Sequence, residues 1–170
     1  MALKEESNGT FESLGIKPLY TGIGSQKATQ KLTEALKRLK PAGVLNLGSA
    51  GSFRWPVGTL VEVSQVVHRD QSHALFTEAL ELRTKTKLPK AICGSADYVE
   101  TDPEHQTEVM DMEAYALALV CKKFGIEFNS IKYITDGSEH KTVQDWKNNV
   151  QKCAVSLSRW FQAQSDFRGL

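Results

Sequence analysis

Three short stretches set chemically useful side chains among small or apolar neighbours. Gly48-Ser49-Ala50-Gly51 offers a hydroxyl together with backbone N–H groups that a ligand can approach closely. Val109-Met110-Asp111-Met112-Glu113 places acids on both sides of a methionine just before an apolar helical pattern, where the helix macrodipole favours negative charge. Thr135-Asp136-Gly137 puts a carboxyl at the end of a β-branched run. Taken singly, each also reads as an ordinary tight turn, a capped helix start or an Asp-Gly turn. Other chemistries are absent from the pattern. G-x-S-x-G does not occur, so Ser49 is not a nucleophile elbow, and Lys27 stands where a dinucleotide fingerprint opening at Gly22-Ile23-Gly24 needs its third glycine. His68, His73, His105 and His140 form no i, i+4 pair or cluster, so neither metal nor cofactor is expected.

In layered α/β folds ligands collect beyond the carboxyl ends of strands, so each stretch needs a strand in front of it. The spacing predicts a helix over 26–40, ended by Pro41 and Gly43, and a buried strand over 43–47 opening into a glycine-bounded loop over 48–51. Strands follow over 60–67 and 90–93, with a loop and some helix around 74–84 between them. Residues 112–124 read as a helix stopped by Gly125, and 127–135 as a strand. A last helix starts at Thr142 with Asp145 as capping acid; Trp146, Trp160 and Phe161 read as part of its core-facing stripe. Alternating helices and strands give an α/β fold in three layers, α/β/α around a central mixed sheet, and 170 residues suit one domain.

Composition narrows the partners. Lys and Arg number 21 against 20 Asp and Glu, a net charge of +1 without a basic run, which argues against nucleic acid or an anionic membrane. No apolar stretch approaches the roughly 20 residues that span a bilayer, and the acidic N-terminus lacks a secretory pattern, so a cytoplasmic location is expected. Cys93, Cys121 and Cys153 lack C-x-x-C spacing and read as buried structural thiols.

Asn46-Leu47-Gly48-Ser49-Ala50-Gly51, Asp111-Met112-Glu113-Ala114 and Ile134-Thr135-Asp136-Gly137, supported by Thr21-Gly22-Ile23-Gly24, occur together in one order. In this the chain resembles the nucleoside phosphorylase superfamily, and within it the 5'-methylthioadenosine/S-adenosylhomocysteine nucleosidases, from about residue 20 through 154. The resemblance implies a purine nucleosidase, active in nucleoside catabolism and methionine salvage, that takes a small purine nucleoside and works as a homodimer. By the same resemblance Asp136 protonates the departing purine at N7, which requires a carboxyl that keeps its proton near neutrality. Glu113 accepts from both ribose hydroxyls, Met112 packs under the sugar, and Ser49, Ala50 and Gly51 line the site. Tyr98 stacks on adenine, and Val99 offers backbone groups to its edge. Ala2-Leu3-Lys4-Glu5-Glu6 matches the segment that carries the base for the attacking water, which makes Glu6 the candidate and Glu5 the fallback.

Departures from the family pattern set further expectations. Relatives begin with an apolar strand before the base-bearing segment; here the chain starts at that segment, so a missing first strand is expected, with Glu6 on a frayed end. The stretch between Val67 and Lys90 is short, which affects cover over the 5' substituent. Phosphorylases of the superfamily hold phosphate with arginines, one of them three residues before the loop serine, and that position is Asn46, which favours water, with Arg54 or Lys132 as the remaining candidates to reach an anion. The alternatives are a phosphate-dependent purine nucleoside phosphorylase and a nucleoside-binding protein that has lost catalysis.

Overall fold

The computed structural model describes residues 1–69, 78–99, 107–137, 142–164 and 167. Helix α1, Ser25–Leu39, buries Ala28, Leu32, Ala35 and Leu36, the spacing of one helical face, and ends at Lys40, whose φ of 47° is left-handed. Among the described residues six strands follow the order β3-β2-β4-β5-β1-β6: β1 Gly43–Gly51, β2 Leu60–His68, β3 Leu80–Glu81, β4 Lys90–Ser95, β5 Val109–Asp111 and β6 Glu127–Asp136. β1 runs parallel to β6, and β2, β4 and β5 run parallel to one another but opposite to that pair. β2 also pairs with β6 through Leu60, Val61 and Glu62, which curls the sheet back on itself.

Helices cover both faces. α1 and α2 (Ala114–Phe124) bury Leu32, Leu36, Leu117 and Val120 with Val61, Val63, Val66 and Ile134 in one core. On the other face α3, Thr142–Gln162, packs Cys153 and Leu157 against Leu47, Ile131, Tyr133 and Phe11. This is the expected three-layer arrangement around a mixed sheet. Among the described residues no helix is long and apolar enough to cross a membrane.

Four expectations change. Residues 48–51 continue β1 instead of looping, because Gly48, Ser49 and Ala50 stay in register with Lys132, Tyr133 and Ile134; tertiary pairing overrides the freedom of the glycine. Val109–Asp111 is a strand that three residues of pattern could not reveal, and it delays α2 to Ala114, leaving Met112 and Glu113 on the turn between them. The helix expected around 74–84 falls partly on 70–77, outside the described residues; within the rest, Leu80 is buried, Glu81 exposed and Leu82 half-buried, a two-residue period that pairs with β2. The start of the chain is not frayed. Thr21 and Gly22 donate backbone hydrogen bonds to the carbonyls of Met1 and Ala2, and Ser7, fully buried, bonds to Tyr20 and Glu12.

Candidate active site

β1 and β5 are antiparallel and overlap only at Gly51 and Met110, so the carboxyl ends of the two parallel half-sheets meet at one point. A cavity of about 330 Å³ opens there. It brings together Glu6, Ser49, Ala50, Gly51, Met112, Glu113 and Asp136, with Tyr98 and Val99 at its more exposed rim. Glu5 is exposed and lies outside it.

Glu6 is 4% exposed, on the 3-10 turn Lys4–Glu6. Its Oε2 accepts from the backbone N–H groups of Ala2 (2.7 Å) and Leu3 (3.1 Å). Its Oε1 accepts from the Ser49 N–H and the Ser49 hydroxyl, each at 2.8 Å. The approach depends on Gly48, where an added Cβ would stand 3.1 Å from Glu6 Oε1 and 3.5 Å from Lys132 Nζ.

Glu113 accepts from the Gly24 N–H at 2.8 Å, at the mouth of α1. Gly24 has φ 95°, and Asp97 caps the same helix end by accepting from both Ser25 N and Ser25 Oγ at 2.8 Å. Burial pushes the Glu113 carboxyl up and the neighbouring Asp111 charge adds to it; the Gly24 N–H and Lys132 oppose them, and the result is a pKa of about 7. Asp111 meets Lys132 at 2.6 Å in a fully interior pair and also accepts from Ser95 Oγ (2.5 Å) and the Ala114 N–H (3.0 Å). Burial works against the Asp111 charge, yet Lys132 with these donors outweighs it and holds the carboxyl below its ordinary range. Burial likewise disfavours the Lys132 charge, and Asp111 more than restores it.

Asp136 ends β6 at 3% exposure and accepts from Thr135 Oγ1 at 2.9 Å. Asn149 of α3 donates to the Thr135 carbonyl at 2.9 Å, fixing that strand end. The two anion candidates stand elsewhere: Lys132 is engaged with Asp111, and Arg54 pairs with Glu108 at 3.7 Å away from the cavity lining. Asn46 is buried and accepts from Ser130 Oγ at 2.9 Å.

Sequence reasoning missed several residues in the wall, Arg69 and Trp146 among them. Arg69 follows β2, the strand-end position that flagged the other sites; its guanidinium lies 4.9 Å from the centre of the Tyr98 ring and donates to the Gly94 carbonyl at 3.1 Å. Trp146, expected in the core, instead lines the cavity and donates from Nε1 to Ser49 Oγ at 3.0 Å. An apolar stripe cannot say which of its members turns toward a pocket. Trp160 and Phe161 do pack against the second core. His68 packs edge-on against Tyr115, while His73, His105 and His140 lie outside the described residues. Among the described residues no group of three His, Cys, Asp or Glu side chains is arranged to hold a metal ion.

The chain is similar to known proteins in sequence and in fold. The family described as the phosphorylase superfamily matches residues 91–163. A 5'-methylthioadenosine/S-adenosylhomocysteine nucleosidase of Marinomonas sp. (strain MWYL1) is 28% identical over 189 residues, covering 91% of this chain and 82% of its own. The Bacillus subtilis (strain 168) nucleosidase of the same name is 28% identical, with 89% and 80% covered. In fold, the chain is similar to the Helicobacter pylori nucleosidase crystallised with butyl-thio-DADMe-Immucillin-A (TM-score 0.85, 19% identity, 97% and 95% covered). Futalosine hydrolase of Helicobacter pylori is similar to the same degree (TM-score 0.85, 19% identity, 97% and 94% covered). The chain is thus similar to the phosphorylase superfamily over residues 91–163, and over most of its length to the 5'-methylthioadenosine/S-adenosylhomocysteine nucleosidases.

Proposed function

We propose that residues 1–170 act as one nucleoside phosphorylase-like domain that hydrolyses the N-ribosidic bond of an adenosine-type nucleoside, 5'-methylthioadenosine or S-adenosylhomocysteine, to adenine and the ribose derivative. One observation carries the reading beyond family likeness: Glu6, Glu113 and Asp136, from opposite ends of the chain, line a single cavity in three different settings. Asp136, buried at the end of β6, gives its proton to purine N7 as the C1'–N9 bond breaks. Water supplies the oxygen that bonds to C1', and its proton goes to Glu6. Glu113, ionised, accepts from the ribose hydroxyls and sets negative charge beside the cation-like sugar. Met112 packs under the ribose, Tyr98 stacks on the purine, and Val99 meets its edge.

Water is favoured over phosphate because Asn46, Arg54 and Lys132 are all turned to protein partners. Phosphate remains the second reading, since Arg69 and Lys147 do line the cavity. We further propose a homodimer, whose partner would cover the exposed apolar rim of Ile23, Tyr98, Val99 and Val143. A cytoplasmic setting and a place in methionine salvage belong to the same proposal; the three free, buried thiols suit a reducing compartment.

The test is release of adenine from 5'-methylthioadenosine with and without phosphate, with the sugar product identified. Hydrolysis gives equal rates and a free ribose derivative, and Asp136→Asn lowers kcat at least a hundredfold, within the roughly 10²–10⁴-fold range of general acid catalysis. Strict phosphate dependence with a sugar 1-phosphate product overturns the choice of water. Tight adenine binding with no turnover, unchanged by Asp136→Asn, overturns the enzyme reading.

A further inference from the structure

Trp146 stands near the start of α3, and its indole reaches back to the end of β1. Its Nε1 donates to Ser49 Oγ at 3.0 Å, and Ser49 Oγ donates to Glu6 Oε1 at 2.8 Å. The direction of this chain is forced. An indole N–H can only donate, so the serine oxygen accepts from it, and the one proton of the hydroxyl is left for Glu6. We infer that Trp146 is a positioning residue for the reaction, acting through the Ser49 hydroxyl on the Glu6 carboxylate.

The inference rests on the proposed role of Glu6 as the base for water. A carboxylate offers about four lone-pair positions. Ala2, Leu3 and Ser49 fill three of them with backbone N–H groups held by the fold, and the Ser49 hydroxyl fills the fourth. Of these donors only the hydroxyl can turn on its own bond. It is therefore the one of the four that can yield its Glu6 lone pair to the proton of the attacking water, and the indole N–H, by occupying one side of the serine oxygen, limits where the hydroxyl can turn. Without the indole N–H the hydroxyl samples its other staggered positions.

Trp146→Phe keeps an aromatic ring in the cavity wall and removes the N–H donor with part of the indole, so the full-length protein is compared as wild type, Trp146→Phe, Ser49→Ala and the double variant. Adenine release from 5'-methylthioadenosine gives kcat and KM, and thermal melting reports folding. The expected result is a kcat about tenfold lower for Trp146→Phe with KM within about twofold, the loss of one net hydrogen bond in the transition state. Trp146→Phe should add nothing in the Ser49→Ala background, because both changes cut the same chain. Trp146→His, whose ring N–H can serve the same hydroxyl, should recover part of the loss. If Trp146→Phe stays within twofold of an active wild type, or if its effect multiplies with that of Ser49→Ala, Trp146 acts by packing and the inference is overturned while the nucleosidase reading stands. A wild type that releases no adenine under any nucleophile overturns the reading and this inference with it.

Discussion

With a pKa of about 7, Glu113 changes its charge across the neutral range, and the proposed ribose contact needs the charged form. At pH 8 such a carboxyl is about 90% ionised and at pH 6 about 10%. If only the carboxylate accepts from the 2' and 3' hydroxyls, affinity for adenosine should weaken about ninefold on going from pH 8 to pH 6, and binding at pH 6 should release close to one proton. Isothermal titration calorimetry at both pH values, in buffers of different ionisation enthalpy, reads both quantities. Using the Asp136→Asn variant suppresses turnover during the titration. Two controls isolate the group: Glu113→Gln should flatten the pH dependence, and 2',3'-dideoxyadenosine should lack it in the unsubstituted Glu113 protein. Free-protein stability moves the other way. Glu113 keeps its proton in the folded state over a range where the unfolded chain, with an ordinary pKa of 4.5, has lost it, so its stabilising contribution is complete below about pH 4.5 and drains away as pH rises to about 7. The total is about 3 kcal/mol, at about 1.4 kcal/mol per pKa unit. Equal affinity at pH 6 and pH 8, or a dideoxynucleoside that behaves like adenosine, would refute the coupling between this carboxyl and the sugar.

Asp111→Asn leaves Lys132 buried without its counter-charge and should cost about 3–5 kcal/mol in urea unfolding, while removal of the negative neighbour moves the Glu113 titration to lower pH. Gly48→Ala pushes a methyl to 3.1 Å from Glu6 Oε1 and should lower kcat more than tenfold with a smaller change in melting temperature than Asp111→Asn, measured side by side. Gly24→Ala forces a side chain to φ 95° and to 3.2 Å from Asp97 Oδ1, so about 1–2 kcal/mol of stability should be lost and the Glu113 anchor weakened, seen as a raised KM. Burial pushes the Cys121 thiol up to about 12 and raises Cys93 and Cys153 as well; a thiol reagent at pH 8 should therefore label the native protein slowly and all three cysteines promptly after denaturation.

Much of this site was legible because its parts are strand ends. Ser49, Glu113 and Asp136 each follow a run whose apolar or β-branched character announces a strand or its neighbour, and the structure gathers them into the cavity where opposing half-sheets meet. Long elements such as α1 and β6 were readable from periodicity for the same reason. Short ones were not: β5 has three residues and β3 two, so pairing with β4 and β2 defines them and local pattern does not. The Asp111–Lys132 pair was hidden because its members are 21 residues apart and meet only through the register that sets β5 beside β1 and β1 beside β6. Trp146 was misplaced since helical spacing reports a face, whereas the turn of that face toward Ser49 depends on how α3 crosses β1 and β6.

A crystal structure with a non-hydrolysable adenosine analogue bound bears on the whole mechanism at once. The Asp136 carboxyl should lie within about 3 Å of purine N7, the distance of a hydrogen bond, with Glu113 bridging the ribose hydroxyls and Glu6 facing C1' across one water. An analogue seated in the cavity with Asp136 directed away from the purine, or with Glu113 out of reach of the sugar, would contradict it.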